Sequence, residues 1–201
     1  MIKRILISLC WLACTFAGVS QSFSPEVWHN GQVITSDNDT LLGKLKYSFT
    51  DDVVILKTPR TIQTFNIKKI KKVAFTDSIS RNTRVLKPFM YETSPDYKIP
   101  VLFEVMNEGE LSLLTRDFIE TYTTSSSFND GFLNTFQEHV VYMYYIDKSE
   151  ILALPGKKKQ FLKLFGRYHS QIESYMKENS LRVYSRMDVR DIFNYYNTIS
   201  K

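Results

Sequence analysis

The side chains best suited to chemistry are few and scattered. His29, His139 and His169 share no ligand spacing, and Glu138-His139 runs on into an apolar strand, not an HExxH helix. A structural metal would have to draw on distant carboxylates. No metal-ligating and no cofactor-binding residue is therefore assigned. The chain has no G-x-S-x-G elbow, no S-x-x-K and no Walker loop, so no catalytic residue is assigned either. Asp37-Asn38-Asp39 offers oxygen ligands but lacks the glycine an EF-hand needs at its sixth position, and reads as a turn. Glu104, Glu108 and Glu110 cluster at one hairpin. A carboxylate-dependent hydrolase of the glycosidase type needs two such groups about 5–10 Å apart across a cleft. A solvated turn accounts for Glu108 and Glu110. Glu104 lies between Phe103 and Val105. Simple alternation turns it to solvent; the alternative is burial against a basic partner such as Arg116.

Two basic clusters form a candidate patch for an anionic partner. Lys68, Lys69, Lys71 and Lys72 fall in a strand-rich region, and Lys157, Lys158 and Lys159 precede a helical pattern. Cations at a helix N-terminus each cost about 0.3–1 kcal/mol at low salt. Either that helix starts later, near Gln160, or an anion compensates. Solvated lysines are the plain reading of both clusters.

The first residues read as an export signal. Lys3 and Arg4 precede an apolar run from Ile5 to Phe16, and cleavage after Ala17 or after Ser20 fits the small residues that follow. Domain bounds follow: signal 1–20, a β-rich body 21–155 and a helical segment 156–201. Both cysteines, Cys10 and Cys14, lie inside the signal, so the mature chain has no thiol for a disulfide, a metal or a nucleophile. Lipidation at Cys14 is disfavoured, because Trp11 and Leu12 depart from the lipoprotein pattern. Loss of Lys3 and Arg4 leaves 24 basic against 21 acidic residues. That mild excess, with export, argues against nucleic acid. No later stretch is long and apolar enough for a transmembrane helix. The expected place is the periplasm or the outer-membrane periphery, and the expected partner an envelope protein or an anionic envelope surface.

The elements that must position these groups are mostly strands. Residues 27–75 read as a meander: 27–36, 40–49, 53–57, 61–67, then a bend at Lys68-Lys69 and a strand at 70–75. Residues 76–98 read as irregular, with Pro88 and Pro95. A hairpin follows at 99–106 and 110–116, then a loop at 121–131. Strands are expected at 140–146 and 150–154. After Pro155-Gly156 the period shifts to 3.6. Phe161, Phe165, Tyr168, Ile172, Tyr175 and Met176 mark one helix ending near Asn179, and Val189, Ile192, Phe193 and Tyr196 mark a second over 188–199.

Several short motifs together resemble a group of exported β-rich proteins of Bacteroidetes-type bacteria to which no activity is assigned. They are Trp28-His29-Asn30-Gly31-Gln32-Val33, Asp39 through Tyr47, Phe103-Glu104-Val105, Gly109 through Leu114, and Tyr195-Tyr196-Asn197. The resemblance implies export and a β-rich body with a helical tail, and supplies no catalytic residue. Asp39-Thr40-Leu41 and Asp77-Ser78-Ile79 also resemble the O-glycosylation acceptor pattern of that phylum, which makes Thr40 and Ser78 candidate modification sites.

These readings converge on an α+β fold: an antiparallel meander curling toward a barrel or sandwich, with two C-terminal helices packed on it. The function expected is that of an exported, non-enzymatic interaction module, such as an accessory subunit of an outer-membrane or secretion assembly. The alternatives are a periplasmic carrier of an apolar ligand held in the curled sheet and a carboxylate-dependent hydrolase.

Overall fold

The structure is a computed structural model describing residues 24–125 and 133–201. The expected export signal, residues 1–20, and the tip of the expected 121–131 loop lie outside those residues. Ten strands form one open antiparallel sheet: β1 (His29–Thr35), β2 (Thr40–Ser48), β3 (Val53–Lys57), β4 (Ile62–Asn66), β5 (Ile70–Thr76), β6 (Thr83–Ser94), β7 (Tyr97–Asn107), β8 (Ser112–Ser125), β9 (Leu133–Asp147) and β10 (Glu150–Ala153). Their order is β10-β9-β8-β7-β6-β5-β1-β2-β3-β4, so the sheet ends at β10 and β4 and does not close. Three helices follow: α1 (Lys158–Lys163), α2 (His169–Glu178) and α3 (Arg186–Ile199). The α+β class stands as expected.

Turn chemistry explains the meander. Asn38, Asp52 and Asp96 take positive φ at the β1–β2, β2–β3 and β6–β7 turns, and Lys148 and Ser149 both do so between β9 and β10. Short polar residues tolerate this left-handed region, and two successive positive φ values make the two-residue turn whose twist matches a hairpin. The expected bend at Lys68-Lys69 is a 3-10 turn, Ile67–Lys69.

Several expectations need correction. Residues 83–94 are a strand despite Pro88. The β5–β6 pairing ends at Val73↔Leu86, so Pro88 lies where only β7 pairs with β6, a one-sided position that a proline can take. Residues 121–125 continue β8 and do not open a loop; Thr121 and Thr123 pair with Gln137 and Thr135. The expected long helix is two helices joined by a 3-10 turn, Gly166–Tyr168, because Gly166 takes φ +51° after α1. Its apolar face is nonetheless as expected, with Phe161, Phe165, Ile172 and Met176 buried. The first helix begins at Lys158, not near Gln160. The last starts two residues early, because Ser185 caps it by accepting from the Asp188 N–H at 3.4 Å.

The sheet curls. Arg116 on β8 reaches Asp52 in the β2–β3 turn at 3.0 Å, although five strand-to-strand steps separate β8 from β2. Strands lie about 4.8 Å apart, so a flat sheet would hold them over 20 Å from each other. A glycine pair helps the curl: Gly31 on β1 sits directly opposite Gly43 on β2. A Cβ on Gly31 would lie 2.5 Å from the Ala74 carbonyl oxygen, so bare backbone lets β1 and β5 approach.

Curling produces two cores on one sheet face. The first joins Val33, Leu45, Val54, Leu56, Val73, Phe75, Leu86 and Leu102 from β1 to β7. The second packs Phe161, Phe165, Ile172, Val189, Ile192 and Phe193 from the helices over Leu113, with Met106 and Met143 at its margin. A smaller cluster of Val101, Phe103, Leu114 and Tyr144 covers the opposite face.

Candidate functional site

The most charged interior of the protein lies at the seam between the two cores. On β7, Leu102 belongs to the first core and Met106 packs on the second; Glu104 sits between them on the same face. Glu104 is 6% exposed. Its Oε2 accepts from Arg84 Nε at 3.0 Å, from Arg84 Nη2 at 2.7 Å and from the Thr115 hydroxyl at 3.2 Å. The same Arg84 Nη2 donates to Asp117 Oδ2 at 2.5 Å. His139 Nε2 meets Asp117 Oδ1 at 2.9 Å, and Arg186 at the start of α3 stands 3.8 Å from Glu104. Arg84, Glu104, Asp117 and His139 come from β6, β7, β8 and β9, four strands adjacent in the sheet.

The electrostatics follow from this pairing. Burial presses the Asp117 carboxyl upward, but the hydrogen bond to His139 and the charge and hydrogen bond of Arg84 outweigh it and leave the group below its ordinary range. Arg84 is buried too, yet Glu104 and Asp117 raise its pKa further. Both carboxylates are committed to a guanidinium. A glycosidase-type pair needs one carboxyl held protonated and one free to attack or to activate water, and this arrangement offers neither. Glu104 thus takes the second of its two sequence readings, burial against a basic partner, and not the solvent-facing one. It is buried, and its partner is Arg84 in place of Arg116. Alternation did set its direction opposite Phe103; the curl and the helices make that side interior.

Arg116 serves the fork where β8 leaves β7. The β7–β8 pairing runs only from Asn107↔Leu113 to Glu104↔Thr115. Just beyond, the Arg116 guanidinium donates to the Leu102 carbonyl at 3.0 Å and to both Asp52 oxygens at 3.0 Å. It supplies the donor that a continuing β8 would have offered. Burial raises the Asp52 pKa in spite of Arg116. Desolvation beside that carboxylate raises the Tyr47 hydroxyl as well.

Past the fork, β8 and β9 continue as a two-stranded arm. Cross-strand partners share a face. One face therefore carries Phe118 opposite Val140, Glu120 opposite Glu138 and Tyr122 opposite Phe136, with Tyr142 at its base. Phe136 is 57% exposed, Tyr122 44% and Tyr142 42%. The Tyr122 and Tyr142 hydroxyls both donate to Glu120. Those two bonds hold its carboxyl below the usual range and push Tyr122 up to about 12. Glu120 thus stays anionic directly across from Glu138. Sequence reading missed this surface because the alternation of β8 was hidden in a Thr/Ser-rich stretch. The signal was present in Phe118, Tyr122, Phe136 and Tyr142, which fall on one face once the register is known.

The candidate patch residues do not form one site. Lys68, Lys69 and Lys71 are exposed around the 3-10 turn and β5, and Lys72 is half-buried. Lys71 donates to Asn38 at 2.5 Å. Lys157, Lys158 and Lys159 are exposed at the start of α1, and Lys158 pairs with Glu173 at 2.9 Å. Thr40 is exposed at the first position of β2. Ser78 is half-buried, and its hydroxyl donates to the Trp28 carbonyl at 3.0 Å. Its N–H donates to His29 Nδ1 at 3.0 Å, while His29 Nε2 faces the Ser24 carbonyl at 3.2 Å, so His29 is a buried structural link with its proton on Nε2. Among the described residues no three His, Cys, Asp or Glu side chains gather to hold a metal ion. No described helix is long and apolar enough to cross a membrane.

Fold and site together define an α+β protein: an open, curled ten-stranded antiparallel sheet with a buried ionic seam and an aromatic arm. No protein-family model matches the chain, and no curated protein or solved structure matches it.

Proposed function

We propose that the protein is an exported, non-enzymatic interaction module that docks a basic protein segment on the aromatic face of the β8–β9 arm. In this reading it serves as an accessory subunit of an outer-membrane or secretion assembly, in keeping with the exported group its motifs resemble. The observation that carries the proposal is the exposed face of Tyr142, Glu120, Glu138, Tyr122 and Phe136. Rigid aromatics with a polar tip are favoured at interfaces. Like charges directly opposite on a sheet are destabilising, and a lysine or arginine from a partner relieves Glu120 and Glu138. A two-stranded ribbon is also marginal by itself in water, so an arm of this length gains from a partner. A ligand held within the curled sheet is less well supported, because Leu45, Leu56, Leu86 and Leu102 fill that face at 1% exposure or less.

The test is a photo-crosslinking residue at Phe136 in the tagged full chain, followed by recovery from native envelopes and mass spectrometry. The expected result is a stoichiometric adduct with an outer-membrane or secretion component, abolished by Glu120→Lys with Glu138→Lys. Recovery of the protein alone, or an adduct indifferent to those reversals, overturns the reading. The same spectra give the mature N-terminus, and with it the export expectation.

A further inference from the structure

A groove of about 650 Å³ opens between α1 and α2, lined by Lys158, Lys159, Leu162, Lys163, Gly166, His169 and Glu173. That volume falls within the roughly 300–1,000 Å³ of small-molecule sites. The apolar side chain among the lining residues is Leu162, and lysine stems of this kind can cover apolar surface while keeping their ammonium heads in water. Gly166 at the bend leaves the end open, since a Cβ there would meet nothing within 4 Å. The rim is cationic: three lysines against one carboxylate, Glu173, which Lys158 already holds at 2.9 Å. Among the described residues no carboxylate lies within ion-pair distance of Lys159 or Lys163.

From this charge and shape we infer that the α1–α2 groove binds a single-chain anionic amphiphile. The acyl chain lies along Leu162 and the lysine stems, and the anionic head meets Lys159 and Lys163. An inorganic anion would leave the apolar trough wet, and a neutral alkyl chain would leave the lysine rim uncompensated. The groove shares no residue with the arm, so this site stands or falls independently of the docking proposed above.

Calorimetric titration of the full chain with dodecanoate, kept below its micelle threshold, tests the inference. Dodecanol and inorganic phosphate serve as probes of each half of the chemistry. Saturable binding of one dodecanoate per chain is expected, with dodecanol and phosphate each weaker by about tenfold or more. The exposed double variant Lys159→Glu/Lys163→Glu should weaken dodecanoate by about tenfold or more, whereas Lys68→Glu/Lys69→Glu in the other cluster should leave it unchanged. Unaltered circular dichroism of both variants separates lost binding from lost fold. Absence of saturable dodecanoate binding, equal affinity for dodecanol, or full binding by the Lys159/Lys163 variant overturns the assignment.

Discussion

Arg84 is the residue on which the interior depends most. It is 2% exposed and donates to Glu104 and Asp117 together. Removing one member of a buried ionic group leaves uncompensated charge in a low-dielectric site, at a cost of about 3–5 kcal/mol. Arg84→Ala should therefore lower unfolding free energy by about that amount in urea titration. A loss below about 1 kcal/mol would mean that water reaches the seam and screens it. Replacing Arg84, Glu104 and Asp117 together by Met, Leu and Leu should restore much of the loss, because apolar side chains need no counter-charge.

At the level of elements, two contacts hold the architecture. The Asn197 side chain on α3 makes a two-way bond to the Leu111 backbone, accepting from its N–H at 3.1 Å and donating to its carbonyl at 2.9 Å. It fastens the last helix to the β7–β8 turn. Asn197→Ala should cost about 1–3 kcal/mol, the sum of two ordinary hydrogen bonds, read as a shift of the urea midpoint without change in slope. The second is the bare-backbone contact of β1 with β5. In Gly31→Ala the new methyl meets the Ala74 carbonyl and the Phe75 Cβ at 2.5 Å, so strands must separate. Overpacking of this kind costs about 1–3 kcal/mol, and a melting temperature equal to that of the parent would show that the curl tolerates it.

Across the whole molecule, the two cores meet over ionisable groups, so stability should depend on pH. Asp117 has a folded pKa below its unfolded value of about 3.9. Its contribution is present above that value and is lost as pH falls through the folded pKa. Asp52 runs the other way: its raised pKa means that protonation favours the folded state as pH drops. Net acid sensitivity below about pH 4 should therefore flatten in Asp117→Asn, measured as unfolding free energy against pH. A slope identical to that of the parent would move the acid-sensitive contact elsewhere.

The sequence by itself determined what is local. Period-two alternation, Asp/Asn turns and the 3.6 period after Pro155-Gly156 located the early meander, both apolar helix faces and the α+β class, because each depends on residues a few positions apart. Even the direction of Glu104 followed from alternation. What lay beyond that side did not, since only the curl of the sheet and the cover of the helices turn a strand face into an interior. Pro88 could be read as a strand only once β5 was known to stop short of it. The pairing of Glu120 with Glu138, and of Tyr122 with Phe136, rests on the β8–β9 register. Lys159, Lys163 and Leu162 share a groove only because Gly166 breaks the helix and folds α2 back beside α1. Tertiary structure decided these features because they depend on which distant segments meet, and spacing along the chain carries no record of that.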